Sequence, residues 1–264
     1  MDLHLTDKTA FISGSTMGIG YATAEALVRE GVTVILNGRS EAGVKKAVNR
    51  LKLAAPNGKI SGISADFGKI EEINHLLDQL PRLDILVNNV GIFSAQSFFQ
   101  TPDEDWQRQF EVNVMSGVRL CRKILPQMLA QNAGRIIFIS SECATLVPED
   151  LLAYSTSKTT LLALSRGLAQ LTKGTAVTVN SVIPGSTLTE GAENFLAELA
   201  EREHKTTQQV EADFFTQSRP QSILQRFATV DEVANTILYL VSPLASAING
   251  SAVKVDGGSM GGIM

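Results

Sequence analysis

Tyr154 and Lys158 stand four residues apart in the run Tyr154-Ser155-Thr156-Ser157-Lys158, and Ser141 lies thirteen residues upstream. On a helix that spacing puts the phenol and the ammonium on one face, about 6 Å apart along the axis. The chemistry it suggests is acid/base exchange by the phenol. A free tyrosine titrates near pH ~10 and exchanges protons poorly at neutral pH. A neighbouring ammonium favours the phenolate and draws that value down. Lowering it by ~3 units takes about 4 kcal/mol of differential interaction, a large demand on one lysine, so a second positive charge would help. Taken alone, Tyr-x-x-x-Lys is more often an ordinary surface pair, and its meaning depends on the rest of the chain.

The elements that would position these residues are legible as an alternation. Short β-branched apolar runs at Thr9–Ser13, Thr33–Asn37, Lys59–Ala65, Ile85–Asn88, Arg135–Ser140, Thr178–Ile183 and Ala252–Val255 read as strands buried on both faces. Helical stretches fall between them near 18–30, 41–54, 69–79, 103–131, 152–173 and 230–241. Strand–helix alternation of this kind predicts an α/β fold, a doubly wound parallel sheet of about seven strands with helices on both faces. There is no repeat, low-complexity stretch or linker, so residues 1–264 read as one domain.

The first predicted strand runs into Gly14-Ser15-Thr16-Met17-Gly18-Ile19-Gly20, and a helix follows. Glycines there allow a tight turn, a close backbone approach to a ligand and close helix–strand packing. The helix start then offers free N–H groups and a positive dipole end to a pyrophosphate. The spacing Gly-x3-Gly-x-Gly fits a plain structural turn as well as a binding loop, and its place between strand and helix favours binding. The second strand ends at Asn37-Gly38-Arg39-Ser40, where such a fold reads the adenine ribose. Gly38 offers no carboxylate to ribose hydroxyls. Arg39 either offers a forked donor pair to a 2′-phosphate, with Asn37 and Ser40 adding neutral hydrogen bonds, or simply leads into a helix. Asp66-Phe67 and Asn88-Asn89-Val90-Gly91 close the third and fourth strands, at the end that lines a ligand crevice. Asp66 could accept from an adenine amino group, and Asn88 and Asn89 either tie strands together or contact the ligand. Asn113 falls inside a predicted helix, where asparagine is mildly unfavourable.

Composition sets outer bounds. The formal charge of −4 argues against nucleic acid or an anionic membrane as partner. Cys121 and Cys143 lack metal or redox spacing, the first eight residues lack a signal-peptide core, and no apolar run is long enough to span a membrane. The expectation is a cytoplasmic protein without a bound metal.

Together these residues resemble the short-chain dehydrogenase/reductase family over essentially the whole chain. The resemblance rests on Gly14-x3-Gly18-Ile19-Gly20, Asp66, Asn88-Asn89-Val90-Gly91, Asn113, Ser141, Tyr154-x3-Lys158, Pro184-Gly185 followed by Thr189, and Asp256-Gly257-Gly258. It implies a single Rossmann-like domain that moves a hydride between a nicotinamide cofactor and a carbonyl or alcohol. It further implies Tyr154 as general acid/base and Ser141 as second hydrogen bond to the substrate oxygen. Lys158 would hold the nicotinamide ribose and lower the tyrosine pKa, helped by the positive charge of the oxidised ring. Asn113 would position a water, and Pro184, Gly185, Thr187 and Thr189 would cradle the carboxamide end of the cofactor. His4, His75 and His204 fall outside these motifs.

Three departures stand out against the family pattern: Ser13 for threonine, Val90 for alanine, and Met17 where NADP-preferring members often carry a basic residue. NADP(H) is expected to be favoured through Arg39, with NAD(H) as the alternative. Residues 190–228 read as a lid over the substrate or as a plain surface helical pair. Phe93, Phe98, Phe99, Phe195, Phe214 and Phe215 could wall a pocket or pack that lid. The leading expectation is an enzyme acting on a small secondary alcohol or ketone. A reductase of 3-oxoacyl thioesters is the alternative within the family, and a non-catalytic nicotinamide-nucleotide-binding module the alternative outside it. Such a module would have no need of Asn113, Ser141, Tyr154 and Lys158 together. A homotetramer, or else a homodimer, is expected, with helices 103–131 and 152–173 and the uncharged tail Ser259–Met264 at the contacts.

Overall fold

The computed structural model describes residues 2–262. In chain order the elements are β1 (Thr9–Ile12), α1 (Gly18–Arg29), β2 (Thr33–Gly38), α2 (Glu41–Ala54), β3 (Ile60–Ser64), α3 (Ile70–Gln79) and β4 (Ile85–Asn88). Then come α4 (Asp103–Phe110), α5 (Ser116–Ala130), β5 (Gly134–Ile139), α6 (Cys143–Leu146), α7 (Leu152–Leu171), β6 (Val177–Pro184), β7 (Thr187–Leu188), α8 (Glu190–Glu203) and α9 (Thr207–Gln217). β8 (Ala228–Thr229), α10 (Val230–Val241) and β9 (Ala252–Val255) complete the fold.

Seven strands form one sheet in the order β3-β2-β1-β4-β5-β6-β9, every neighbouring pair parallel. Successive strand residues point to opposite faces, and the inner strands are buried on both. The edge strands β3 and β9 are not, contrary to the sequence expectation, because the packing of the core falls away at the sheet edges. Ile12, Val87 and Ile139 pack on one side with Leu27, Ile237 and Leu240. Phe11, Leu86 and Phe138 pack on the other with Ile73, Leu120, Ile124 and Leu161. This is the doubly wound α/β sheet the sequence predicts. Chain order reverses between β1 and β4, which opens a crevice at their C-terminal ends, the place where ligands bind in such sheets.

The predicted helix over 103–131 is not one α-helix. A π-helical turn, Glu111–Met115, separates α4 from α5 and contains Asn113. Residues 190–228 are α8 and α9, which share a small core of their own: Leu196, Ala200, Val210, Phe215 and Phe227, with Phe214 against them. Phe214 and Phe215 therefore pack within this pair. The segment leaves and rejoins the body through a two-stranded neck in which Thr187 pairs with Ala228 and Leu188 with Thr229. Caps fix its helix starts: Thr189 accepts from the Ala192 amide, and Thr206 forms a capping box with Gln209.

Ser259 and Met260 are buried within the chain, the Met260 amide donating to Asp256 Oδ2 at 2.8 Å, so this part of the tail packs on its own fold. Ile263 and Met264, the end of the expected contact, lie outside the described residues. Among the described residues no helix is long and apolar enough to cross a membrane.

Candidate active site

The glycine loop leaves β1 with Gly14 at φ +61° and Gly18 at +58°, conformations side chains rarely adopt. A Cβ on Gly20 would lie 2.5 Å from Asn89 Nδ2 and 2.6 Å from Gly14 O, so only glycine lets α1 start this close to the loop. Side chains expected near the ligand brace the loop instead. Asn89 Nδ2 donates to Ser13 O and Gly14 O, at 3.0 and 2.8 Å. Asn37 Oδ1 accepts from the Gly14 amide at 3.0 Å, and its Nδ2 donates to Ile63 O. Ser13 Oγ accepts from the amides of Asn89 and Val90, so the hydroxyl expected of threonine is supplied. Asn88 is 5% exposed and points between strands, with Nδ2 on Ile137 O.

Around this frame lies a cavity of about 550 Å³ lined by Gly14, Thr16, Met17, Gly38, Arg39, Asp66, Phe67 and Asn89 through Ile92. Its volume and its backbone amides suit the adenosine half of a dinucleotide. Phe67 is buried at the edge of the cavity. Asp66 Oδ1 accepts from the Gly68 amide, and Ser40 caps α2 through the Gly43 amide. Arg39 is exposed at the rim. Lys69 and Arg108 line the same cavity, two further cations that sequence position did not single out. Arg108 lies one helical turn before Val112, which also faces the cavity, and that i, i+4 spacing was the available signal. Lys69 is held by Glu72 at 2.8 Å. Glu190, the first residue of α8, accepts from the Gly18 amide at 2.8 Å and is 3.6 Å from Arg50. A carboxylate of the 190–228 segment thus rests on the positive end of α1.

The proton-handling residues meet further along the same edge. Ser141 follows β5, Tyr154 and Lys158 share one face of α7, and Asn113 arrives from the π-turn. Asn113 Oδ1 accepts from the Ile92 amide at 2.8 Å, while Nδ2 donates to Ile92 O and Ser157 Oγ, both at 2.9 Å. The mid-helix asparagine therefore staples the loop after β4 to α7, and the π-turn re-aims it to do so. A Cβ on Gly91 would lie 3.2 Å from Lys158 Nζ and 3.6 Å from Asn113 Oδ1, which places both groups against that loop. Lys158 is 3% exposed and donates to Ile139 O at 2.9 Å. Burial lowers its pKa to about 8.

The Tyr154 ring is half-buried, 5.8 Å from the Phe93 ring, with Lys158 Nζ 5.6 Å from its centroid. Lys158 was expected to pull the phenol pKa down. In this structure the balance runs the other way: burial pushes the phenol up, and the hydrogen bond from Ser141 only partly opposes it. Lys158 uses one of its donors on Ile139 O, and a further positive charge near the ring would help it lower the phenol. Pro184 ends β6, Thr187 Oγ1 donates to Gly185 O at 2.9 Å, and Thr189 caps α8, so this segment joins the crevice to the α8–α9 pair. Glu142, next to Ser141, is a buried carboxylate paired with Arg219 at 2.6 Å. No local sequence pattern marks this contact, because its partners are 77 residues apart.

The family described as enoyl-(acyl carrier protein) reductase matches residues 14–260. The chain is 47% identical to the uncharacterized oxidoreductase YvaG of Bacillus subtilis (strain 168), over 98% of both chains. It is 33% identical to the 3-oxoacyl-(acyl-carrier-protein) reductase FabG of Aquifex aeolicus (strain VF5), over 98% of this chain and 99% of that one. Among solved structures it is similar to L-sorbose reductase from Gluconobacter frateurii, crystallised with NADPH and L-sorbose. That match has a TM-score of 0.93 and 30% identity over 100% of both chains.

Proposed function

The chain belongs to the short-chain dehydrogenase/reductase family of oxidoreductases, and on that premise we propose that it is an NADP(H)-dependent enzyme that interconverts a small ketone and its secondary alcohol. The observation that carries the reading is the convergence of Ser141, Tyr154, Lys158 and Asn113 at one edge of the crevice. The adenosine cavity, with Arg39 at its rim, fits the phosphorylated dinucleotide. When bound, the nicotinamide supplies or takes up the hydride.

In reduction, Tyr154 gives its proton to the substrate oxygen, and Ser141 donates a second hydrogen bond to that oxygen as charge develops. The raised phenol pKa keeps this proton in place until the substrate accepts it. In oxidation, Tyr154 must first become phenolate, and the positive charge of the oxidised ring offsets what burial costs. Lys158 holds the ribose side of the site, and Asn113 keeps the loop after β4 against it. The α8–α9 pair acts as a lid hinged at the β7–β8 neck. Likeness to a ketose reductase over the full chain directs the substrate search to sugars and polyols. Likeness to an acyl-carrier reductase keeps 3-oxoacyl thioesters as the second class. The test is a panel of ketoses, polyols, simple ketones and 3-oxoacyl thioesters assayed with NADPH, NADH and their oxidised forms. Turnover of a hydroxylated ketone with NADPH supports the reading, and turnover of thioesters alone replaces the substrate class.

A further inference from the structure

We propose that Glu142 is a positioning residue that couples the 190–228 segment to Ser141 and Tyr154 through its ion pair with Arg219. The inference rests on the reading of Ser141 and Tyr154 as the proton-handling pair. Glu142 directly follows Ser141, and its backbone is fastened on both sides. Its amide donates to Pro184 O at 2.8 Å, and its carbonyl accepts from the Thr145 and Leu146 amides. Its side chain is almost fully enclosed. Oε1 accepts from Arg219 Nε at 2.6 Å and from Ser186 Oγ at 3.0 Å. Oε2 is buried and meets no donor among the described residues.

Arg219 lies just after α9. Its amide donates to Phe214 O, and its guanidinium stands 5.6 Å from the Phe214 ring. Phe214 in turn stacks on Phe227 and meets Phe215 edge-on, in the core of the α8–α9 pair. One salt bridge therefore ties that pair to the residue beside Ser141. Stability is a weak reason for it, since apolar residues of similar volume in place of a buried ion pair are often neutral or stabilising. What a carboxylate adds here is charge near the reacting oxygen.

The groups acting on Tyr154 come from each neighbouring element. Lys158 lies on its own helix, Ser141 and Glu142 on the β5–α6 turn, Cys143 at the start of α6, and the apolar Phe93 ring on the loop after β4. Asp150, before α7, and Arg219 act on Cys143. Burial is the main cause that keeps the phenol protonated, the Glu142 carboxylate adds to it, and a seated Arg219 pairs with that charge. When Arg219 leaves with the α8–α9 pair, the carboxylate is uncompensated and the turn carrying Ser141 loses a tether. A seated segment thereby lowers the cost of forming the phenolate.

The test is a double-mutant cycle on the full chain, with NADP+ and the alcohol identified by the panel. The variants are Glu142→Gln, Arg219→Met and their combination, with Arg219→Lys as the conservative control. Arg219→Met is expected to lower kcat about ten-fold, the worth of one charge-assisted contact. It should also move the acid limb of alcohol oxidation to higher pH. Glu142→Gln should move the limb to lower pH. In the Glu142→Gln background Arg219 loses the carboxylate that seats it, so Arg219→Met should move the limb much less than in the wild-type background, and Arg219→Lys alone should restore most of kcat. The dissociation constant for NADPH should stay within about two-fold in all of them, because neither residue lines the adenosine cavity. Equal limb shifts from Arg219→Met in both backgrounds, or a fall in melting temperature with limb and kcat unchanged, would overturn the coupling. The two readings fail separately. Unimpaired turnover by Tyr154→Phe contradicts the functional reading, whereas normal dependence on Tyr154 without the cycle's non-additivity contradicts the coupling alone.

Discussion

Lys158 is the group whose burial has the most measurable consequence for the free protein. Its pKa falls from 10.5 to about 8 because the ammonium is desolvated, with Ile139 O as its hydrogen-bond acceptor. The folded pKa lies below the unfolded one. Between about pH 8 and 10.5 the unfolded chain therefore binds a proton that the folded chain has released. Stability rises with pH wherever the unfolded state binds more protons, so it should rise through this window. At 1.36 kcal/mol per unit, a lysine at 3% exposure contributes a gain of roughly 2 to 3 kcal/mol between pH 7 and pH 10. Lys158→Met removes the titrating group and keeps much of the volume. The assay is urea unfolding of wild type and variant without cofactor at closely spaced pH values, read as the difference between them so that other groups cancel. The variant should be the relatively more stable protein at pH 7, and the wild type should gain on it up to pH 10. Parallel stability curves would show that Lys158 is solvated and would refute the argument.

Arg39→Ala should remove most of a ten- to hundred-fold preference for NADP(H), the worth of about 1.5–3 kcal/mol for one charge-assisted contact, measured as kcat/KM with both cofactors. A residual preference would point to Lys69 or Arg108 in the same cavity. Gly38→Asp should invert the preference by repelling the 2′-phosphate. A Cβ there lies 2.5 Å from Thr16 Cγ2, so the combination with Thr16→Ser should invert it at lower cost in stability. In solution the chain should be a homotetramer by light scattering at micromolar concentration, with Phe110 and Leu171, both exposed, among the residues covered. A monomer mass would contradict that.

The inner strands were legible because burial on both faces needs nearly continuous β-branched runs, while the edge strands β3 and β9 lie at the predicted positions but expose much of their length. The glycine loop was legible because its backbone demands glycine at fixed positions. The π-turn was not, since one residue inserted into a helical turn leaves the apolar pattern across 103–131 almost unbroken. Sequence spacing puts Tyr154 and Lys158 on one face of α7 but carries no information on desolvation, the main cause that raises the phenol pKa here. Sequence position alone does not show that the Asn37 side chain braces the loop or that Ser40 caps α2. Glu142 and Arg219 meet only through the fold, from either side of the α8–α9 pair.

The measurement closest to the central claim is turnover of Tyr154→Phe on an identified substrate, with NADPH binding followed in parallel. Loss of the phenolic proton should lower kcat at least about 10³-fold, the usual worth of a positioned acid/base group. The dissociation constant for NADPH should stay within about two-fold, because the ring and its packing against Phe93 remain. Near-normal turnover by Tyr154→Phe would contradict the account.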